Sequence, residues 1–152
     1  MSQANADLVQ RLQPDPEVDF AQVFRDDDMW AAAVEVGAFY HPDVESVRPG
    51  LPDGKTYTGL DGLRDMWLEW LAPWTTYRVK AEDVIDLGDR VLLLAHVFGR
   101  LRGSEAEVEN TVASVYTVRD GKIARAEFYL DRTEALKAVG MEEQRCRRRM
   151  SS

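Results

Sequence analysis

The chain has 152 residues, 45% of them hydrophobic, and a formal net charge of -8. That length suits one domain with one sizeable core, and that composition argues against general disorder. The acidic balance disfavours nucleic acid and anionic lipid as partners, and the longest apolar run, Val91 to Ala95, is far too short to cross a bilayer.

Cys146 is the single cysteine, so no intrachain disulfide is possible, which fits a reducing compartment. The polar start, Met1 to Asp7, lacks the apolar core of a signal peptide, and the expected address is the cytoplasm. The basic run Arg145, Arg147, Arg148 and Arg149 reads as a solvated tail. The expected organisation is an N-terminal segment over 1–16, one domain over 17–140 and a flexible basic tail over 141–152.

In chain order, Ala6 to Leu12 is a short helix closed by Pro14 and Pro16. Glu17 to Arg25 is a second helix. Asp26, Asp27 and Asp28 place negative charge at the start of a third, expected over Trp30 to Tyr40 and stopped by Pro42. Two short strands follow, near Val44 to Arg48 and Thr56 to Thr58, with Pro49, Gly50, Pro52, Asp53 and Gly54 turning the chain between them. Leu60, Leu63, Met66, Trp67, Trp70 and Leu71 recur at helical spacing and define an amphipathic helix ended by Pro73.

The second half reads as strands. Tyr77, Val79 and Ala81 alternate with Arg78, Lys80 and Glu82, as on a half-exposed strand. Val91 to Phe98 is nearly all apolar, so both of its faces are expected to be covered. Strands over about Glu107 to Val118 and Lys122 to Leu130 flank Asp120-Gly121, a strong hairpin signal. Asp131 and Glu134 open a last short helix, Thr133 to Val139, with Gly140 at its cap. Helices followed by a meander of long strands predict an α+β fold.

Several segments carry a family likeness. They are Tyr57-Thr58-Gly59-Leu60-Asp61-Gly62-Leu63-Arg64 entering a helix, Asp86-Leu87-Gly88-Asp89-Arg90-Val91 at a strand turn, and Val118-Arg119-Asp120-Gly121-Lys122-Ile123 at the hairpin. Phe128-Tyr129-Leu130-Asp131-Arg132 and Glu134-Ala135-Leu136-Lys137-Ala138-Val139-Gly140 complete the set. With these the chain resembles the SnoaL-like branch of the nuclear-transport-factor-2-like superfamily, over roughly residues 17 to 140. The resemblance implies a cone: a curved, mostly antiparallel sheet wrapped around N-terminal helices, with an internal pocket. It implies no one chemistry, because the matching residues make turns and core.

Strand alternation narrows the candidates. On the last strand Ala126, Phe128 and Leu130 are expected inward and Arg125 and Glu127 outward. The resemblance implies Asn110, Val112, Ser114 and Tyr116 as the inward set on the strand before. Pairing across the loop at Gly103 to Glu105 then turns Leu94, His96 and Phe98 inward, in a register where one residue flips the face. His96 is the candidate acid or base, with a satisfied core histidine as the competing reading. Arg48 occupies, by the resemblance, the place of the ketosteroid isomerase base, where an arginine can hold an anionic or carbonyl group. Tyr57, Trp67, Phe98, Asn110, Ser114, Tyr116 and Phe128 are the expected ligand contacts, with Tyr40 a further candidate.

Departures from the family chemistries are as informative. Where ketosteroid isomerases carry a carboxylate base and an oxyanion-binding acid, Arg48 and Ser114 stand here; where limonene epoxide hydrolases carry one of their aspartates, Phe128 stands. No metal spacing or phosphate loop is present, so no metal and no cofactor is expected. Two functions remain open: proton-transfer chemistry of an isomerase, cyclase or dehydratase kind on an apolar cyclic ligand, or a ligand-binding or dimerisation module without chemistry. A homodimer is expected through the outer sheet face, where Ala95, Val97, Ala113, Val115 and Ile123 would otherwise meet water.

Overall fold

The structure is a computed structural model and describes residues 2–13, 15–33, 39–49 and 55–140. The basic tail with Cys146, the later part of the helix expected from Trp30, and most of the turn between the first two strands lie outside the described residues.

Three helices come first: α1 (Ser2–Leu12), α2 (Phe20–Arg25) and α3 (Asp27–Ala33). Asp19 caps α2 by accepting from the Ala21 amide at 3.0 Å, and the same carboxylate accepts from the Tyr77 amide at 2.9 Å. One side chain thus satisfies a free helix donor and ties α2 to the sheet. Strands β1 (Tyr40–Val47) and β2 (Thr56–Thr58) lead to α4 (Gly59–Leu71). Strands β3 (Trp74–Asp86), β4 (Arg90–Leu101), β5 (Glu107–Arg119) and β6 (Lys122–Tyr129) form the meander, and α5 (Arg132–Ala138) follows, its first turn capped by Asp131 accepting from the Thr133 amide at 2.9 Å.

The strands make one curved sheet of six in the order β2-β1-β6-β5-β4-β3, antiparallel except for the parallel β1–β6 pair. Tyr40, expected at the end of a helix, instead opens β1 opposite Ile123. The register with β6 then shifts between Tyr40 and Glu45, and Pro42, which cannot donate to a ladder, sits inside that irregularity. At the β5–β6 turn both Asp120 (φ 56°) and Gly121 (φ 76°) lie in the left-handed region, as the tight twisted hairpin requires.

Different elements cover the two faces of the sheet, the outer one only in part. On the inner face α1 sets Leu8 and Val9 against Val91, Leu93, Tyr116 and Val118, while α2 and α4 add Phe24, Leu71 and Trp67. On the outer face α5 covers Leu92, Leu94, Ala113 and Val115 with Ala135 and Leu136. The apolar patch expected to drive dimerisation is therefore not exposed. Ala95 and Val97 face inward, Ala113 and Val115 lie in the cluster that α5 caps, and Ile123 is fully buried near α1. Among the described residues no helix is long and apolar enough to cross a membrane.

Candidate functional site

Helices α2 and α4 stand off the inner face and leave a cavity of about 150 Å³ between them and the sheet. Its walls are mainly apolar, shared between aromatic and aliphatic side chains. Trp67 of α4 is the hub, stacked on Phe24 at 5.3 Å and edge-on to Phe20, Tyr77 and Phe128. The sheet contributes Leu93, Ala95 and Val97 from β4 and Val112, Ser114 and Tyr116 from β5. Leu130, just beyond β6, is 44% exposed and marks the open side of the wall.

Polar groups gather where α1 meets the sheet. Ser114 and Tyr116 are two apart on β5, so both face inward, and Gln13 at the end of α1 and Tyr40 at the start of β1 complete the group. Burial pushes the Tyr116 hydroxyl up to about 12, against hydrogen bonds with Ser114 and Gln13 that pull the other way. Burial raises Tyr40 further, with the neighbouring Tyr116 adding to it. Both phenols stay protonated at neutral pH and act as neutral hydrogen-bonding groups. Tyr77 is also raised by burial, and its hydroxyl pairs with the Trp70 indole.

Arg48 continues the inward face of β1 and is the one charged side chain among the described lining residues. Its side chain is 15% exposed, with Nη2 3.6 Å from Oε2 of Glu69 on α4. The Tyr57 hydroxyl donates to the same carboxylate and also pairs with Arg48; Lys55 Nζ stands 3.8 Å from the other carboxylate oxygen. Burial and then the Glu69 bond raise the Tyr57 hydroxyl, against Arg48 and Lys55.

The structure brings Arg48, Trp67, Ser114, Tyr116 and Phe128 together around one cavity, as the sequence suggests. It does not bring His96 there. His96 pairs with Lys80 on one side and Thr111 on the other, stacks on Phe98 at 4.7 Å and sets Nε2 3.6 Å from Glu109, all on the outer face. Phe98 shares that face beneath the Arg78 guanidinium. The expected β4 register was displaced by one residue: the inward set is Leu93, Ala95 and Val97, not Leu94, His96 and Phe98. Asn110 has the expected inward position, opposite Val97, but is exposed and turns its amide oxygen to the Thr111 amide at 2.9 Å. Tyr57 packs on Leu63 and Met66 and faces the groove beside Lys55 rather than the cavity.

Phe20, Phe24, Tyr77 and Gln13 are lining residues that sequence reasoning did not single out. The Tyr77-Val79-Ala81 alternation carried a signal for Tyr77. Gln13, a polar residue before a proline, carried none.

A curved sheet folded over helices around a mainly apolar cavity defines an α+β protein of the cone type. The SnoaL-like domain model matches residues 18–126, and the chain belongs to that family. No curated protein matched the sequence. Several solved structures share the fold. TerC, co-crystallised with polyporic acid, aligns with a TM-score of 0.61 at 23% identity, over 90% of this chain and 98% of that one. A nuclear-transport-factor-2-like protein of unknown function from Burkholderia pseudomallei K96243 aligns at 0.62 and 15% identity, over 90% and 98%. A hypothetical protein with a ketosteroid isomerase-like fold from Catenulispora acidiphila DSM 44928, in complex with trimethylamine, aligns at 0.56 and 19%, over 85% and 95%.

Proposed function

We propose that this protein binds a small, flat cyclic molecule in the cavity and holds its carbonyl or hydroxyl oxygen at the Tyr116 end. The observation that carries this reading is the pairing of an aromatic wall around Trp67 with buried neutral hydroxyls at Ser114, Tyr116 and Tyr40. Aromatic faces favour a planar apolar body, and a few convergent polar groups fix its orientation. Ser114 and Gln13 hydrogen-bond with Tyr116, and this cluster of neutral polar groups offers a ligand oxygen partners at that end.

Binding is favoured over proton-transfer chemistry. His96, the sequence's candidate base, is on the far side of the sheet, and the described lining residues include no carboxylate and no imidazole. A homodimer belongs to the reading in a reduced form: the part of the outer face beyond α5, with Lys80, His96, Phe98 and Thr111, is the surface available to a second copy. A cytoplasmic address rests on the single cysteine.

The test is a thermal-shift screen with 2-naphthol and 1-tetralone against naphthalene, since a ligand of the native state raises its melting temperature. The oxygen-bearing rings should bind more tightly than naphthalene, and Tyr116→Phe should remove that advantage, about three- to tenfold. Equal shifts with all three probes, unchanged in Tyr116→Phe, would refute the polar end.

A further inference from the structure

We infer that the cavity selects an anionic ring, a carboxylate or an acidic enol or phenol, and that Arg48 is its counter-ion, held in reserve by Glu69. This rests on the ring-binding reading above and names the class of ring.

In an acidic protein, the one charge among the described lining residues is positive. A guanidinium offers five N–H donors in a planar fork, and the interactions Arg48 makes among the described residues use few of them. The Tyr57 hydroxyl takes one. Glu69 stands at 3.6 Å, an ion-pair separation too long for a good hydrogen bond. Glu69 is also oversubscribed: it accepts the Tyr57 hydroxyl and draws Lys55 to 3.8 Å, while its own side chain is 51% exposed. A wet carboxylate shared among three partners is a weak competitor for a mostly buried guanidinium. A ligand carboxylate entering the cavity can accept from the Arg48 fork in a drier setting, where charge-assisted hydrogen bonds are stronger. Glu69 then keeps Lys55 and Tyr57, so no charge is stranded.

The arrangement also sets an orientation. Arg48 lies at the C-terminal end of β1 by Glu127 and Phe128, whereas Tyr40 lies at the other end of that strand, with Tyr116. A bound molecule is thus held by charge at the Arg48 end and by neutral donors at the Tyr116 end. A cavity of roughly 150 Å³ takes about one aromatic ring, and the open side at Leu130 leaves room for a second.

The experiment titrates the full chain with matched probes, 2-naphthoate against 2-naphthamide, following thermal shift and tryptophan fluorescence at neutral pH. Wild type should prefer the naphthoate by about tenfold or more. Arg48→Met should bring the two probes to parity by weakening the naphthoate alone. Should Arg48→Met fail to fold, Glu69→Gln serves in its place: removing the competitor should tighten the naphthoate by about threefold and leave the naphthamide unchanged. If both probes bind wild type equally, the anion inference falls and ring binding stands. If neither binds, both readings fall.

Discussion

Ala95 on β4 pairs with Val112 on β5, and both side chains face the cavity. That one register decides the chemistry, because it turns His96 to the outer face opposite Thr111. His96→Gln should therefore leave 2-naphthol binding within about twofold of wild type and change stability by less than about 1 kcal/mol. A titration showing the affinity lost in this variant would mean that β4 is shifted by one residue.

Gly99 packs against Trp74. A Cβ at Gly99 would lie 2.5 Å from two Trp74 ring carbons and 3.1 Å from the Thr76 carbonyl oxygen. Gly99→Ala should cost about 1–3 kcal/mol in urea unfolding, as overpacking does. In a Trp74→Ala background the added cost should shrink, giving a measurable coupling between the sites.

Trp67 touches Phe20, Phe24, Tyr77 and Phe128 at once. Trp67→Ala should cost about 3–5 kcal/mol, as large aromatic truncations in cores do. A loss below about 1 kcal/mol in chemical denaturation would show that the α4 face is not core.

Tyr116 makes stability fall at high pH. Its folded pKa, about 12, lies above the ordinary tyrosine value of 10.0, so the native state holds the proton more tightly than the unfolded chain. The stabilisation is complete below pH 10.0 and is lost as pH rises toward about 12. Within that window the phenol contributes a slope of about 1.4 kcal/mol per pH unit, and Tyr116→Phe should remove that much of it. Urea unfolding at several alkaline pH values measures the slope; identical slopes in both proteins would show that Tyr116 is not buried.

The sequence was legible where a periodic pattern had one covered face. The α4 stripe through Leu63, Met66 and Trp67, the Asp120-Gly121 hairpin and the Asp131 cap all follow from local chemistry, and each is present. The inward set of β5 and β6 came from alternation and family likeness, and it holds for Val112, Ser114, Tyr116, Ala126 and Phe128 but not for Asn110, which is exposed. β4 failed for a physical reason. Residues 91–95 are all buried, because α1 and the cavity cover one face and α5 the other, so no alternation survives to fix the register. A polar residue in such a run looks like a pocket residue, yet His96 sits where α5 has ended and the outer face is half open. The aromatic contributions of Phe20 and Phe24 depend on how a six-residue helix docks on α4, which local sequence does not encode.

The most direct test of the central claim fills the cavity. Val112→Trp should place an indole in the space between Ala95, Ser114 and Trp67 while leaving the fold intact. The stabilisation of wild type by 2-naphthol, read as a rise in melting temperature, should vanish in this variant, with its ligand-free circular dichroism unchanged. A naphthol-induced rise as large in Val112→Trp as in wild type would contradict the account, because the ligand would then be bound somewhere other than this cavity.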